Sequence, residues 1–145
     1  MARHIASATV PFAVGAVLTV IAFLLLRDTF PERMATHFSL DGTADGFSSP
    51  PAALGQYLLL FGIEAVGGLA VAFSVRPGRR GPRPLGVFCS ALAAATVYLL
   101  VATMYASSGL EDGADARLPA YQLAVAAGVG VGTGLLGRWV TRRRT

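Results

Sequence analysis

Four long apolar runs, separated by polar segments, dominate the pattern of this 145-residue chain. A helix needs about 20 mostly apolar residues to cross the hydrocarbon core of a bilayer, and each run is about that long. The runs are too long and too uniformly apolar for strands or amphipathic surface helices. They predict an all-α membrane protein in which residues 1–145 form one domain, with spans at about 5–26, 52–75, 85–105 and 118–140.

Composition supports the membrane prediction. The chain is 54% hydrophobic and only 14% charged, whereas a soluble domain carries about 25% charged residues. The first span follows Arg3 and has an apolar core, as a signal peptide does. Its core is long, however, and no small-residue cleavage site follows it. We therefore expect the first span to be retained as a transmembrane helix.

The arginines divide unequally between the two ends of the predicted helices. Nine of the twelve lie before span one, between spans two and three, or at the end of the chain. The other three are Arg27, Arg33 and Arg117, which share their side with seven of the eight acidic residues. The positive-inside rule places the basic side in the cytoplasm. This predicts a multi-pass protein of the cell membrane with cytoplasmic N- and C-termini and residues 27–51 as an extracytoplasmic loop.

The basic C-terminal tail has two possible partners. Its three consecutive arginines, 142–144, and the net charge of +4 are compatible with nucleic-acid binding. Basic clusters beside a membrane helix more often fix topology and contact anionic headgroups. We therefore predict the lipid bilayer as the partner and no nucleic acid.

The fourth span is rich in glycine, which bears on how the helices pack. Two pairs four residues apart form small stripes, which allow another helix to approach closely in lipid. Gly15, Gly67 and Gly68 are the candidate facing residues within the chain. Intrachain packing is the first interpretation, and a homodimer face is the alternative. The stripe residues are Gly128, Gly130, Gly132 and Gly134.

Glu64 is an ionisable residue near the middle of the second span. A charge there costs about 2.5–3.5 kcal/mol on insertion scales, so we expect it to face the bundle interior or to be protonated. One interpretation is a proton or cation relay, or an anchor for a polar ligand. The other is a neutral residue that hydrogen-bonds across helices. Candidate hydrogen-bond donors are Tyr57, Thr96, Tyr98 and Thr103.

The loop 27–51 contains turn signals and a small polar cluster. Asp41-Gly42 and Asp45-Gly46 are tight-turn pairs, because glycine accepts positive φ and aspartate caps its own turn. Residues 34–40 predict one short extended stretch. We expect a hydrogen bond between His37 and Asp45 that shapes the loop.

The same cluster raises the question of a metal or catalytic site. His37, Asp41 and Asp45 could bind a metal if the turns brought them together, but transition-metal sites usually use more nitrogen or sulfur ligands. No serine or cysteine lies in a recognisable setting beside a base. We therefore predict no metal, no cofactor and no enzymatic activity.

The loop resembles the family known as domain of unknown function 1648, which occurs in small membrane proteins. The pattern is a proline, then His-aromatic, then Gly-x-x-Asp-x-aromatic. Ala35, Ala44 and Pro50 depart from it, where the family often has proline, proline and lysine. The matching residues are Pro31, His37, Phe38, Gly42, Asp45, Gly46, Phe47 and Ser49.

The resemblance implies a small bacterial integral membrane protein with this loop outside the cell. The same domain opens the immunity proteins that protect cells from the sporulation-delaying toxin. Those proteins are longer and carry a C-terminal signature that this chain lacks. The resemblance covers about the first span, the loop and the start of the second span.

These observations predict a non-enzymatic membrane protein that recognises an extracellular peptide or envelope ligand, in an immunity-like or sensor-like role. The alternative is an accessory or small transport subunit that uses Glu64 and contacts a partner membrane protein. The residues predicted to bind ligand or to shape the loop are Pro31, His37, Phe38, Gly42, Asp45 and Phe47.

Overall fold

The computed structural model describes residues 2–74 and 82–142. It consists of four helices and one small sheet inserted between the first two helices. Short 3-10 turns at Arg27–Thr29 and Gly113–Asp115 lie in the two connections at one end of the helices. The main elements are α1 (Ala2–Leu26), β1 (Met34–Phe38), β2 (Ala44–Ser48), α2 (Pro50–Ser74), α3 (Pro82–Ser107) and α4 (Tyr121–Arg142).

All four helices are long and apolar enough to cross a membrane. They coincide with the four predicted spans, and the protein is a multi-pass four-helix bundle. α4 begins at Tyr121, three residues after the predicted start of span four at about Leu118. Leu118 instead donates its backbone N–H to the carbonyl of Gly42, 2.9 Å away. Val75, the predicted end of span two, lies outside the described residues.

The helices form an open bundle. α1 packs against α3, α2 packs mainly on α1, and α4 packs on α3. Much of the helical surface is apolar and exposed, including Leu25 and Ile63. Such a surface is compatible with lipid, where backbone groups must be satisfied within the helices. The largest core side chains are Phe12, Phe23, Met34, Tyr57, Phe61 and Met104.

Glycines permit the close approach of α1 and α2. A Cβ at Gly15 would lie 2.7 Å from the Phe61 ring, and one at Gly68 would lie 2.9 Å from the carbonyl oxygen of Ala8. The expectation that these glycines face the stripes of span four is therefore wrong. Gly67 does not face them either, because a Cβ there would meet no heavy atom of the described structure within 4 Å.

Only one glycine stripe of α4 faces α3. A Cβ at Gly130 would lie 3.0 Å from the Ala91 carbonyl oxygen, and one at Gly134 would lie 3.6 Å from the Ala91 Cβ. At Gly128 and Gly132 an added Cβ would meet nothing within 4 Å in the described structure. Gly130 and Gly134 thus serve packing within the chain, whereas Gly128 and Gly132 lie on an open face.

The loop between α1 and α2 contains two strands rather than the single extended stretch that the sequence predicts. β1 and β2 pair antiparallel, with Met34 opposite Ser48 and Phe38 opposite Ala44. The register shifts around His37, so the pairing is irregular there. The polar sequence of β2 lacks the apolar alternation of a half-buried strand, which explains why the pattern did not reveal it.

Candidate functional site: a cap built from two loops

The two connections at one end of the bundle form a single structure, which we call the cap and define as residues 27–49 and 108–120. Gly113 donates its N–H to the Arg33 carbonyl over 2.8 Å, and Gly109 donates to the Thr29 carbonyl over 2.8 Å. Thr43 and Arg117 form an isolated antiparallel bridge. Backbone hydrogen bonds between two loops that lie far apart in sequence therefore hold the cap together.

The cap is also fixed to the end of α3. The backbone N–H of Ala35 donates to the buried Ser107 hydroxyl over 3.2 Å. The hydroxyls of Thr29 and Ser108 lie 2.6 Å apart. Met34 and Ala35 are completely buried, and Met34 belongs to the core cluster of the bundle. One edge of the hairpin is therefore part of the bundle core.

The conformation of the hairpin turn explains why residue 42 is glycine. Gly42 donates to the Ser39 carbonyl and Ser39 donates to the Thr43 carbonyl, both over 2.9 Å. This is a three-residue connection, in which the last residue adopts positive φ. Gly42 has φ of +84°, and a Cβ there would also lie 2.7 Å from the Leu118 carbonyl oxygen. Both the turn and the second loop therefore require glycine at this position.

Asp41 stabilises the same turn from its side chain. Its Oδ1 accepts the N–H of Thr43 over 3.0 Å and the Thr43 hydroxyl over 2.7 Å. These bonds, the hydroxyl one first, lower the pKa of Asp41 below its ordinary value of 3.8. The prediction of a tight turn at Asp41-Gly42 is confirmed.

The second turn prediction is wrong. Asp45 and Gly46 lie within β2, and Gly46 pairs with His37. A Cβ on Gly46 would lie 2.7 Å from the His37 Cβ. Glycine at this position therefore makes room for the histidine across the irregular part of the strand pair.

His37, Asp45 and Ser39 form a polar cluster on the exposed side of the hairpin. His37 Nδ1 and Asp45 Oδ1 lie 2.5 Å apart, and the Ser39 hydroxyl donates to Asp45 Oδ2, also over 2.5 Å. The bond from Ser39, and then that from His37, lower the pKa of Asp45 below 3.8. The predicted hydrogen bond between His37 and Asp45 is present, and the His37 side chain remains 74% exposed.

The cluster has the residue types of a catalytic triad but a different arrangement. In a nucleophile–base pair the serine bonds to the histidine, which a carboxylate orients. Here Asp45 lies between Ser39 and His37 and accepts from Ser39. The arrangement orders an exposed imidazole and gives no hydrogen bond that would activate the serine.

The three residues considered for a metal are not gathered into a site. Asp41 bonds to Thr43, while His37 and Asp45 bond to each other. Within residues 2–74 and 82–142, no group of three or more His, Cys, Asp or Glu side chains is placed to hold a metal ion.

The remaining predicted loop residues surround the hairpin. The guanidinium of Arg33 lies over the Phe47 ring, 4.5 Å from its centroid, a distance typical of a cation–π contact. Phe38 ends β1 and is half-buried. Pro31 is buried in the segment that leads into β1. Pro31 therefore positions the hairpin, while Arg33 and Phe47 present a cationic and aromatic surface.

The second loop is a part of the cap that sequence reasoning missed. A Cβ at Gly113 would collide with the Arg33 carbonyl oxygen and lie 2.7 Å from the Ala35 N. Asp112 accepts the Ala114 N–H over 3.0 Å and caps the short 3-10 turn that presents Gly113. In the sequence, the one indication of an ordered second loop is this Asp-Gly pair in an acidic turn. The pair does not indicate that the loop packs on the hairpin.

Glu64 lies away from the cap and is half-buried where α2 faces α3. The Thr96 hydroxyl donates to Glu64 Oε1 over 2.6 Å. Tyr98, another candidate donor, bonds to Gln122 instead. In the described part of the chain, three buried side-chain oxygens lack a hydrogen-bond partner: Glu64 Oε2, the Tyr57 hydroxyl and the Thr19 hydroxyl. The bundle therefore holds buried polar groups whose bonding capacity is only partly used.

Fold and sequence together define a multi-pass membrane protein with a structured cap at one end. Residues 14–61 match the family model described as domain of unknown function (DUF1648). The match confirms the resemblance found in the loop, and it spans the second half of α1, the whole hairpin and the first half of α2. No curated protein and no solved structure is significantly similar to the chain.

Proposed function

We propose that the protein is a non-enzymatic receptor of the cell membrane whose cap recognises an extracellular peptide or envelope ligand, in an immunity-like or sensor-like role. The exposed cluster of His37, Asp45 and Ser39 is the observation that carries this proposal. Its side chains are oriented before any ligand arrives, which lowers the ordering cost of binding.

The rest of the cap surface supports the same proposal. Arginine and aromatic residues are enriched among those that contribute most to binding, and Arg33 and Phe47 lie together on the hairpin. The Arg33 carbonyl already accepts the Gly113 N–H, and side chains are the groups of the cap that we propose to contact a ligand.

The charge distribution supports an extracytoplasmic orientation of the cap. The cap lies at the end of the bundle opposite to the start of α1 and the end of α4. Since nine of twelve arginines belong to the other end, the positive-inside rule supports cytoplasmic termini and an extracytoplasmic cap.

A protection assay tests the proposal. Bacterial cells that produce the protein or a variant are exposed to a panel of secreted membrane-active peptides, and the inhibitory concentration of each is measured. We expect the protein to protect against at least one peptide. Asp45→Asn and His37→Ala should each lower that protection about tenfold or more, because bonds to a charged group contribute about 1.5–3 kcal/mol each.

A matched control separates recognition from folding. Asp115→Asn changes another exposed carboxylate of the cap and should retain full protection, and all variants should reach wild-type membrane levels. Protection that persists in both Asp45→Asn and His37→Ala would overturn the proposed role of the cluster. A panel in which the protein protects against no peptide would contradict the immunity-like role.

The second candidate function is an accessory or small transport subunit that depends on Glu64. The bond from Thr96 to one carboxyl oxygen and the unpartnered second oxygen support it. Glu64→Gln should then change ion flux or the recovery of a partner membrane protein at unchanged abundance. Thr96→Val removes the observed donor and serves as the matched variant. A loss of abundance alone would assign Glu64 a structural role.

A further inference from the structure

Two apolar grooves flank the half of α4 that lies away from the cap. The first has a volume of about 850 Å³ and lies between α3 and α4. The second, of about 710 Å³, lies on the other side of α4, towards α1. Residues that line the first groove include Val87, Ala91, Ala127, Gly130, Gly134 and Arg138.

The first groove exists because the facing residues are small. Gly130 and Gly134 have no side chain, and Ala91 and Ala127 contribute one methyl group each. Gly130 approaches α3 closely, and the small side chains beside this contact leave the outer part of the space between the helices unfilled. In a bilayer such a space is filled by hydrocarbon, because an empty gap would lose dispersion contacts.

The two grooves differ in charge. Arg138 lies at one end of the first groove, and the remaining described residues that line it are apolar. No charged residue is among the described residues that line the second groove. The first groove is therefore amphipathic along its length, with a cation at one end.

The length of the first groove matches one leaflet. Its lining runs along α4 from Ala127 to Arg138, which at about 1.5 Å per residue is about 16 Å. Half of a hydrocarbon core of about 30 Å is about 15 Å. With Arg138 at headgroup level, the other end of the groove therefore reaches about the middle of the bilayer.

We propose that this groove binds one acyl chain of an anionic phospholipid, with the lipid phosphate beside Arg138. The apolar lining accommodates the chain, and the guanidinium is a donor suited to phosphate oxygens. Basic sites between membrane helices have this kind of ligand. The inference does not depend on the function of the cap or on the orientation of the protein.

The single tryptophan of the chain provides a probe. Trp139 follows Arg138 and is exposed at the same end of α4, so its fluorescence is quenched by brominated acyl chains bound nearby. The protein is reconstituted in phosphatidylcholine vesicles that contain either brominated phosphatidylglycerol or brominated phosphatidylcholine at equal mole fraction. We expect stronger quenching by the phosphatidylglycerol. Arg138→Gln should weaken this preference about fivefold, as expected for the loss of one cation near the membrane surface.

Three further variants separate binding in the groove from a general effect of surface charge. Ala127→Leu fills the first groove and should reduce quenching by phosphatidylglycerol, whereas Thr133→Leu, which fills the second groove, should leave it unchanged. Arg27→Gln removes a charge at the cap end and should have no effect. Equal quenching by the two lipids, or a preference that survives both Arg138→Gln and Ala127→Leu, would overturn the proposal. The latter result would assign the preference to the other arginines.

Discussion

The cap and the contact between α3 and α4 around Gly130 and Gly134, which we call the seam, both require close approach of two backbone segments. They achieve this approach in different ways. Both bring backbone close to backbone through glycines, at Gly113 in the cap and at Gly130 in the seam. In the cap the close approach is fixed by hydrogen bonds between loops, whereas the small side chains of the seam leave a groove beside it. Hydrogen bonds between the two loops therefore determine the shape of the cap, whereas the small size of the facing side chains produces the groove.

Gly113→Ala should be the most damaging change and would test whether the cap is one rigid unit. The three heavy atoms nearest to the added Cβ are backbone atoms of Arg33, Met34 and Ala35, which cannot move aside as a flexible side chain can. We expect a loss of about 3 kcal/mol or more in the free energy of unfolding, the upper range for overpacking. Denaturant unfolding in detergent measures it. A loss within error of zero would show that the second loop does not pack on the hairpin.

Gly130→Ala tests the seam in the same way. Its Cβ would lie 3.0 Å from the Ala91 carbonyl oxygen and 3.4 Å from the Ala95 Cβ. Because this closest approach is less severe than at Gly113, where the Arg33 carbonyl oxygen blocks the added Cβ, we expect a smaller loss of about 2 kcal/mol.

Gly128→Ala is the matched control for the seam. A Cβ there meets nothing within 4 Å in the described structure, and alanine is the better helix former by about 0.5–1 kcal/mol. We expect no loss of stability. Equal losses in Gly128→Ala and Gly130→Ala would contradict the assignment of the two stripes.

Ser107→Ala tests the attachment of the hairpin to the bundle. It leaves the buried N–H of Ala35 without the acceptor seen at 3.2 Å, which should cost about 1–2 kcal/mol in unfolding free energy. Ser108→Ala removes a more exposed bond to Thr29, and water can replace it. Unfolding of both variants side by side should show the larger loss for Ser107→Ala, and the reverse order would refute this attachment.

Acidification should loosen the hairpin turn while leaving the seam unchanged. The folded pKa values of Asp41 and Asp45 lie below 3.8, so their contribution is complete above that pH and disappears as pH falls through the folded values. Amide protection at Thr43, corrected for intrinsic exchange, should decrease over that range. An Asp41→Asn/Asp45→Asn variant should lack this change, and pH-independent protection in the wild type would exclude the carboxylate contribution.

The sequence predicted the features that are encoded locally. Long apolar runs specified the four helices, and the small polar cluster of the loop indicated the hydrogen bond between His37 and Asp45. The turn prediction at Asp45-Gly46 was wrong because glycine, which favours turns, here makes room for His37 across the strand pair. The partnership of Gly113 with Arg33 connects residues 80 positions apart, and backbone hydrogen bonds of that kind leave no periodic pattern.

The glycines of α4 show a similar limit. Their spacing indicated small stripes, but it did not indicate which stripe faces α3. The structure assigns Gly130 and Gly134 to the seam and leaves Gly128 and Gly132 open. The homodimer prediction therefore now concerns only the open stripe and remains untested.

The two distant loops form one cap, which we propose lies outside the cell. A Thr43→Cys/Arg117→Cys variant in a Cys89→Ala background tests it, because these two positions form an antiparallel bridge and such pairs lie within disulfide reach. In intact cells, oxidation should link them, and a membrane-impermeant maleimide added first should block the link. The single-cysteine variants should form no such link. No link, or labelling only after permeabilisation, would contradict the account.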